Sequence, residues 1–187
     1  MLNKNMTKVE IERELRNQGD YVQIDNITRF LKQNPPLDIK KFLYAFLIEI
    51  YNKRKMFAEA AEVCGRLAEI MLNSDEKIVC LRKETEFFIK AGFFDKADIV
   101  FRRIMGEVRA NDRPKINLEI REFYKTQAEN YEKEKRRSLA VKTYEKILTL
   151  DISDFEKSEV NKKLTELYKE LGMVGQYMKL KAKNNLS

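Results

Sequence analysis

Five times along this 187-residue chain an apolar or aromatic residue stands nine positions ahead of a second apolar residue, with a turn between them. The pairs are Leu15 and Ile24, Tyr51 and Ala60, Phe88 and Ala97, Tyr131 and Ala140, and Tyr168 and Tyr177. Two antiparallel helices joined by a tight turn require such a step, because a large side chain on one helix meets a smaller one where the two cross. Successive first members lie 36, 37, 43 and 37 residues apart, so length varies between hairpins and not within them. The expected fold is all-α, an α-solenoid of antiparallel helix pairs forming one helical-repeat domain over residues 1–187. Its five units span approximately 5–36, 37–73, 74–112, 113–152 and 153–187.

Local signals divide the chain in the same places. Thr7 with Glu10 and Ser153 with Glu156 have capping-box spacing, and Asn73 with Glu76 repeats it, each where a unit's first helix should begin. Pro35-Pro36 ends the second helix of the first unit, and Asp112-Arg113-Pro114 punctuates the longest join. With 36% charged residues and only 6 Gly and 3 Pro, the composition suits long helices better than a turn-rich β fold. Ten helices in five pairs are predicted.

Tyr124, Ala128, Tyr131, Ala140 and Tyr144 follow one another at set spacings, and Tyr144-Glu145-Lys146-Ile147-Leu148-Thr149-Leu150-Asp151 closes that unit. Tyr44, Leu47, Tyr51 and Ala60, and then Phe88, Gly92, Phe94, Ala97 and Phe101, repeat the pattern in the second and third units. In this the chain resembles the tetratricopeptide (TPR) superfamily. It departs from that family in having no Trp, in exceeding a 34-residue period, and in placing Ile24 and Tyr177 where Ala is usual. The resemblance implies a right-handed superhelix whose first helices line a groove, and a non-catalytic role as protein-interaction adaptor or scaffold.

The chemistry of the side chains agrees with a role in binding. Histidine is absent, which removes the commonest general base and the commonest zinc ligand, and there is no glycine-rich phosphate loop. Carboxylate pairs such as Glu84 and Glu86 fit solvated helix faces better than acid–base work. No enzyme activity, cofactor or metal site is expected. Cys64 and Cys80 are too few and too widely spaced for a disulfide framework or a CxxC site, and read as small buried hydrophobes in a reducing, cytoplasmic setting. No apolar leader precedes Thr7, and no uncharged run is long enough to span a membrane.

Counting from each anchor, the family's inner groove falls on Val9 and Arg13 in the first unit, on Phe42, Ala45, Glu49 and Asn52 in the second, and on Val79, Arg82, Glu86 and Lys90 in the third. These are the candidate partner-binding residues for an extended or helical protein segment of some acidic character, although Phe42 could instead serve only to pack first helices together. The corresponding residues of units four and five, among them Glu122, Lys125, Glu129 and Glu132, are wholly charged. The clamp with which some TPR proteins hold a chaperone's C-terminal carboxylate is not matched. A net charge of +7 and basic turns at Lys53-Arg54-Lys55 and Lys135-Arg136-Arg137 make a nucleic-acid-binding solenoid the alternative. Tyr177, Met178 and Leu180 on a short last helix suggest an incompletely capped end, hence homo-oligomerisation or a structural place in a larger assembly.

Overall fold

A computed structural model describes residues 2–3 and 5–184. Among them are ten α-helices and one short 3-10 turn, and no strand. They form two compact bodies, Met1–Val108 and Arg109–Ser187. The first holds α1 (Lys8–Arg16), α2 (Asp20–Lys32), α3 (Leu37–Lys53), α4 (Phe57–Glu69), α5 (Ser74–Ala91) and α6 (Phe94–Glu107). In the second, a 3-10 turn at Ala110–Asp112 leads into α7 (Arg113–Lys133), α8 (Arg137–Ile147), α9 (Asp154–Glu170) and α10 (Val174–Asn184). Within each body the helices pack mainly on their neighbours in the chain, as an all-α, solenoid-like fold requires.

The nine-residue step has one backbone cause. The amide of Met56 donates to the carbonyl of Tyr51 (2.8 Å), Phe93 to Phe88 (2.9 Å), Arg136 to Tyr131 (2.8 Å) and Met173 to Tyr168 (2.9 Å). Just before each donor a residue takes the left-handed conformation: Lys55 (φ 57°), Gly92 (78°), Lys135 (58°) and Gly172 (68°). This is the Schellman stop, in which a bond across six residues satisfies a carbonyl of the helix's last turn. The donor then serves as N-cap of the next helix, with nearly the same dihedrals at Met56 (−85°, 66°), Phe93 (−93°, 67°) and Arg136 (−86°, 59°). Four residues later Ala60, Ala97 and Ala140 are at most 1% exposed. The first hairpin is built differently: Gln18 donates to Leu15 over a shorter span, and Gly19 caps α2 at φ −68°.

Helix starts follow the sequence signals. Thr7 and Ser153 each form a complete capping box with Glu10 and Glu156. Asn73 Oδ1 accepts from the amides of Asp75 and Glu76 (2.7 and 3.4 Å). Pro36 is the N-cap of α3, and Pro114 sits in the first turn of α7, where a missing N–H costs nothing. The core of the first body contains Ile11, Leu15, Ile27, Leu43, Leu81, Ile89 and Ile104, and that of the second Tyr124, Ile147 and Leu164, all at most 1% exposed. No helix among the described residues is long and apolar enough to cross a membrane.

Candidate functional site

Ion pairs one hairpin apart align the first helices of the N-terminal body. Lys8 of α1 meets Asp38 of α3, and Lys41 of α3 meets Glu76 of α5, both at 3.6 Å. Ala45 lies one turn beyond Lys41 and Val79 one turn beyond Glu76, so α3 and α5 carry these small apolar side chains on the sides that bear the pairs. Val9 is 65% and Val79 47% exposed. Ala45, Arg13, Glu49 and Asn52 are exposed as well, and Phe42 is half-buried against Phe46 with ring centroids 6.0 Å apart. On α5 Arg82 is half-buried, while Glu86 and Lys90 pair at 2.6 Å. The Lys90 ammonium also stands 5.4 Å from the centroid of Phe87 and 5.8 Å from that of Phe57. Phe42 thus both packs within α3 and offers an edge to solvent, and the Glu86–Lys90 pair sits over an aromatic stack.

Charges of the fourth and fifth units that sequence reading assigned to the groove join helices to one another. In the C-terminal body Glu156 of α9 receives Lys125 of α7 at 2.7 Å and Arg121 at 3.5 Å, while Lys125 also reaches Glu122 (3.1 Å). The hydrogen bond from Lys125, together with the Ser153 amide, holds the Glu156 carboxyl down at about 2, and Glu156 in turn raises Lys125. Glu132 accepts from Tyr144 OH and from Lys163 (3.3 Å). Spacing alone cannot reveal the pairs of Glu156 with Lys125 and Arg121 or of Glu132 with Lys163, because their members are more than thirty residues apart.

The basic turns are engaged in the same way. Lys53 (3.1 Å) and Arg54 (3.9 Å) share Asp20, and the Arg54 guanidinium lies 4.7 Å from the Tyr21 ring centroid. Arg136 pairs with Glu134 at 3.4 Å and covers the Tyr131 ring at 5.0 Å, and Arg137 pairs with Glu170. Lys55 and Lys135 occupy the left-handed turn positions with exposed side chains.

A second feature of the N-terminal body escaped the sequence reading. Between α2 and α4 opens a cleft of about 380 Å³ floored by α3. Tyr44, Leu47 and Tyr51 form the floor, Thr28 and Lys32 one wall, and Glu59, Glu62 and Arg66 the other. Burial raises the Tyr51 hydroxyl above its ordinary range, Glu59 adds to the rise and Arg66 opposes it. Glu62 is held by Lys96 of α6 at 3.3 Å. In the sequence these side chains look like ordinary amphipathic positions, because only the separation of α2 from α4 makes a space of them.

Cys64 and Cys80 are buried free thiols, and burial pushes Cys64 up to about 12 and Cys80 upward too, which keeps both protonated and weakly nucleophilic. Among the described residues no three or more His, Cys, Asp or Glu side chains converge as a metal-binding group. Glu84 of α5 presses against Gly65 of α4, where an added Cβ would stand 2.8 Å from Oε1. Its Oε2 is shielded from solvent without a hydrogen-bond partner, and burial lifts the carboxyl to about 7. Compared with family models and with curated proteins, the sequence matches none.

Proposed function

We propose that this chain is a non-catalytic, TPR-like interaction module of the cytoplasm that holds a segment of another protein on the first helices of its N-terminal body. The reading rests on one observation: Val9, Ala45 and Val79 stand in solvent on three helices, two of them joined by Lys41–Glu76, with half-exposed Phe42 one turn before Ala45. Small apolar side chains framed by charge can be desolvated cheaply by an apolar partner face, while the surrounding charges set its register. Exposed Arg13, one turn from Glu10 whose carboxyl it helps to lower, suits an acidic residue flanking the partner's apolar ones.

The direct test replaces Ala45 and Val79 together by Glu. Both are exposed, so helicity and melting should be unchanged, and capture of the partner should fall by about two orders of magnitude. Equal capture by the variant would remove this face from the account. Nucleic-acid binding draws on the +7 charge and on Lys55 and Lys135, but Lys53, Arg54, Arg136 and Arg137 already face carboxylates, which makes it the weaker reading. A place in a larger assembly, or a homo-oligomer, draws on exposed Val174 and Met178 of α10.

A further inference from the structure

We propose that the cleft between α2 and α4 is a second binding site, which takes the carboxylate side chain of an acidic residue in an extended segment of a partner protein. The cleft shares none of its lining residues with the exposed first-helix face. Leu47 and Tyr51 stand at the same offsets from their turn as Leu164 and Tyr168 in the C-terminal body. There Tyr168 donates its hydroxyl to Glu145 of the preceding helix at 2.8 Å, and Tyr144 donates to Glu132. Two buried phenols of the C-terminal body thus each find a carboxylate on the preceding helix. In the cleft, α2 supplies none: it presents Thr28 and Lys32, while Asp25 is turned to Arg29 at 2.9 Å. Among the described residues the hydroxyls of Tyr44, Tyr51 and Thr28 have no hydrogen-bond partner, and Lys32 and Arg66 have no ion-pair partner.

Donors of five side chains therefore converge on one space with too few acceptors. Glu62 is neutralised by Lys96, and Glu59 offers one negative charge against the two of Lys32 and Arg66. That balance leaves room for a single added negative charge and disfavours a doubly charged phosphate. Leu31, Leu47 and Val63 provide an apolar seat for the methylenes of the entering side chain. About 380 Å³ lies at the small end of ligand sites, enough for one side chain and its flanking backbone. The missing carboxylate is then supplied by the partner, and a charge-assisted bond in a part-buried cleft is worth about tenfold in affinity or more.

The test is an NMR titration of the full-length ¹⁵N-labelled chain with N-acetyl-Leu-Glu-Leu-amide, its Gln counterpart and inorganic phosphate. Expected are saturable shifts in the amides of residues 28–32, 44–51 and 59–66 with the Glu peptide, about tenfold weaker with the Gln peptide and with the Arg66→Gln or Lys32→Gln variant. Both variants change exposed side chains, and unchanged spectra elsewhere certify their fold. No shift in these segments, equal affinity for the Gln peptide, or phosphate binding as tightly as the Glu peptide would each overturn the proposal. Shifts confined to the surroundings of Ala45 and Val79 would overturn it and leave the first-helix face standing.

Discussion

Replacing Glu84 by Gln should stabilise the protein at neutral pH and remove a pH dependence that the native chain carries. Burial between helices, opposed by Arg103 and aided by Glu69 and Glu62, lifts this carboxyl from 4.5 to about 7. Between those two values the folded state binds a proton that the unfolded state has already released. Stability from this group is therefore complete below about 4.5 and is lost as pH rises through about 7. The interval corresponds to roughly 3 kcal/mol as an upper figure. Partial exposure of the side chain brings it to about 1–2 kcal/mol after solvent screening. Glutamine keeps the shape beside Gly65 without the charge, so at pH 8 the variant should melt about 2–6 °C higher, and at pH 4 it should match the native chain. Thermal and urea unfolding of both proteins from pH 4 to 8 measures this directly. Parallel stability–pH curves, or a variant less stable at pH 8, would refute the claim that burial of this charge opposes folding.

Other expectations follow from neighbouring features. Gly65→Ala should stabilise the Glu84→Ala background by about 1 kcal/mol through helix propensity, yet give less in the native chain, where the new methyl meets Oε1; a double-mutant cycle reads the difference. Lys135→Gly and Lys55→Gly should each stabilise by about 1 kcal/mol, because only glycine accepts a left-handed φ without strain, and chemical denaturation will show whether the two add. Glu156→Gln should cost the C-terminal body about 1 kcal/mol at pH 7 through the weakened capping box. It should also flatten the loss of stability as pH falls from 4.5 towards 2, since the Lys125 and Ser153 bonds that depress Glu156 disappear with its charge.

The paired-helix fold was legible because its cause is local. A Schellman turn fixes six residues, so the distance from Tyr51 to Ala60 or from Tyr131 to Ala140 cannot drift, and capping residues such as Thr7 and Ser153 mark helix starts within one turn. The first hairpin, without a left-handed residue, keeps the step from Leu15 to Ile24 but not the geometry. Val9, Ala45 and Val79, which counting by the TPR resemblance assigned to a groove, are exposed on their helices. What contacts what across hairpins was not legible. Nothing in the spacing of Lys125 announces Glu156, and nothing in Glu84 announces Gly65. The α2–α4 cleft depends on how far apart two second helices stand over α3, a tertiary quantity that local spacing does not carry.

Site-specific photo-crosslinking decides whether a partner protein lies on the first helices of the N-terminal body. A benzophenone amino acid placed at Ala45 or Val79, and for comparison at exposed Ile99 or Leu118, would be irradiated in cells and the adducts identified by mass spectrometry. One discrete protein adduct formed from Ala45 and Val79, lost when the other of the two is changed to Glu and absent from Ile99 and Leu118, is the expected result. Adducts of equal yield from all four positions, or none from Ala45 and Val79, would contradict it.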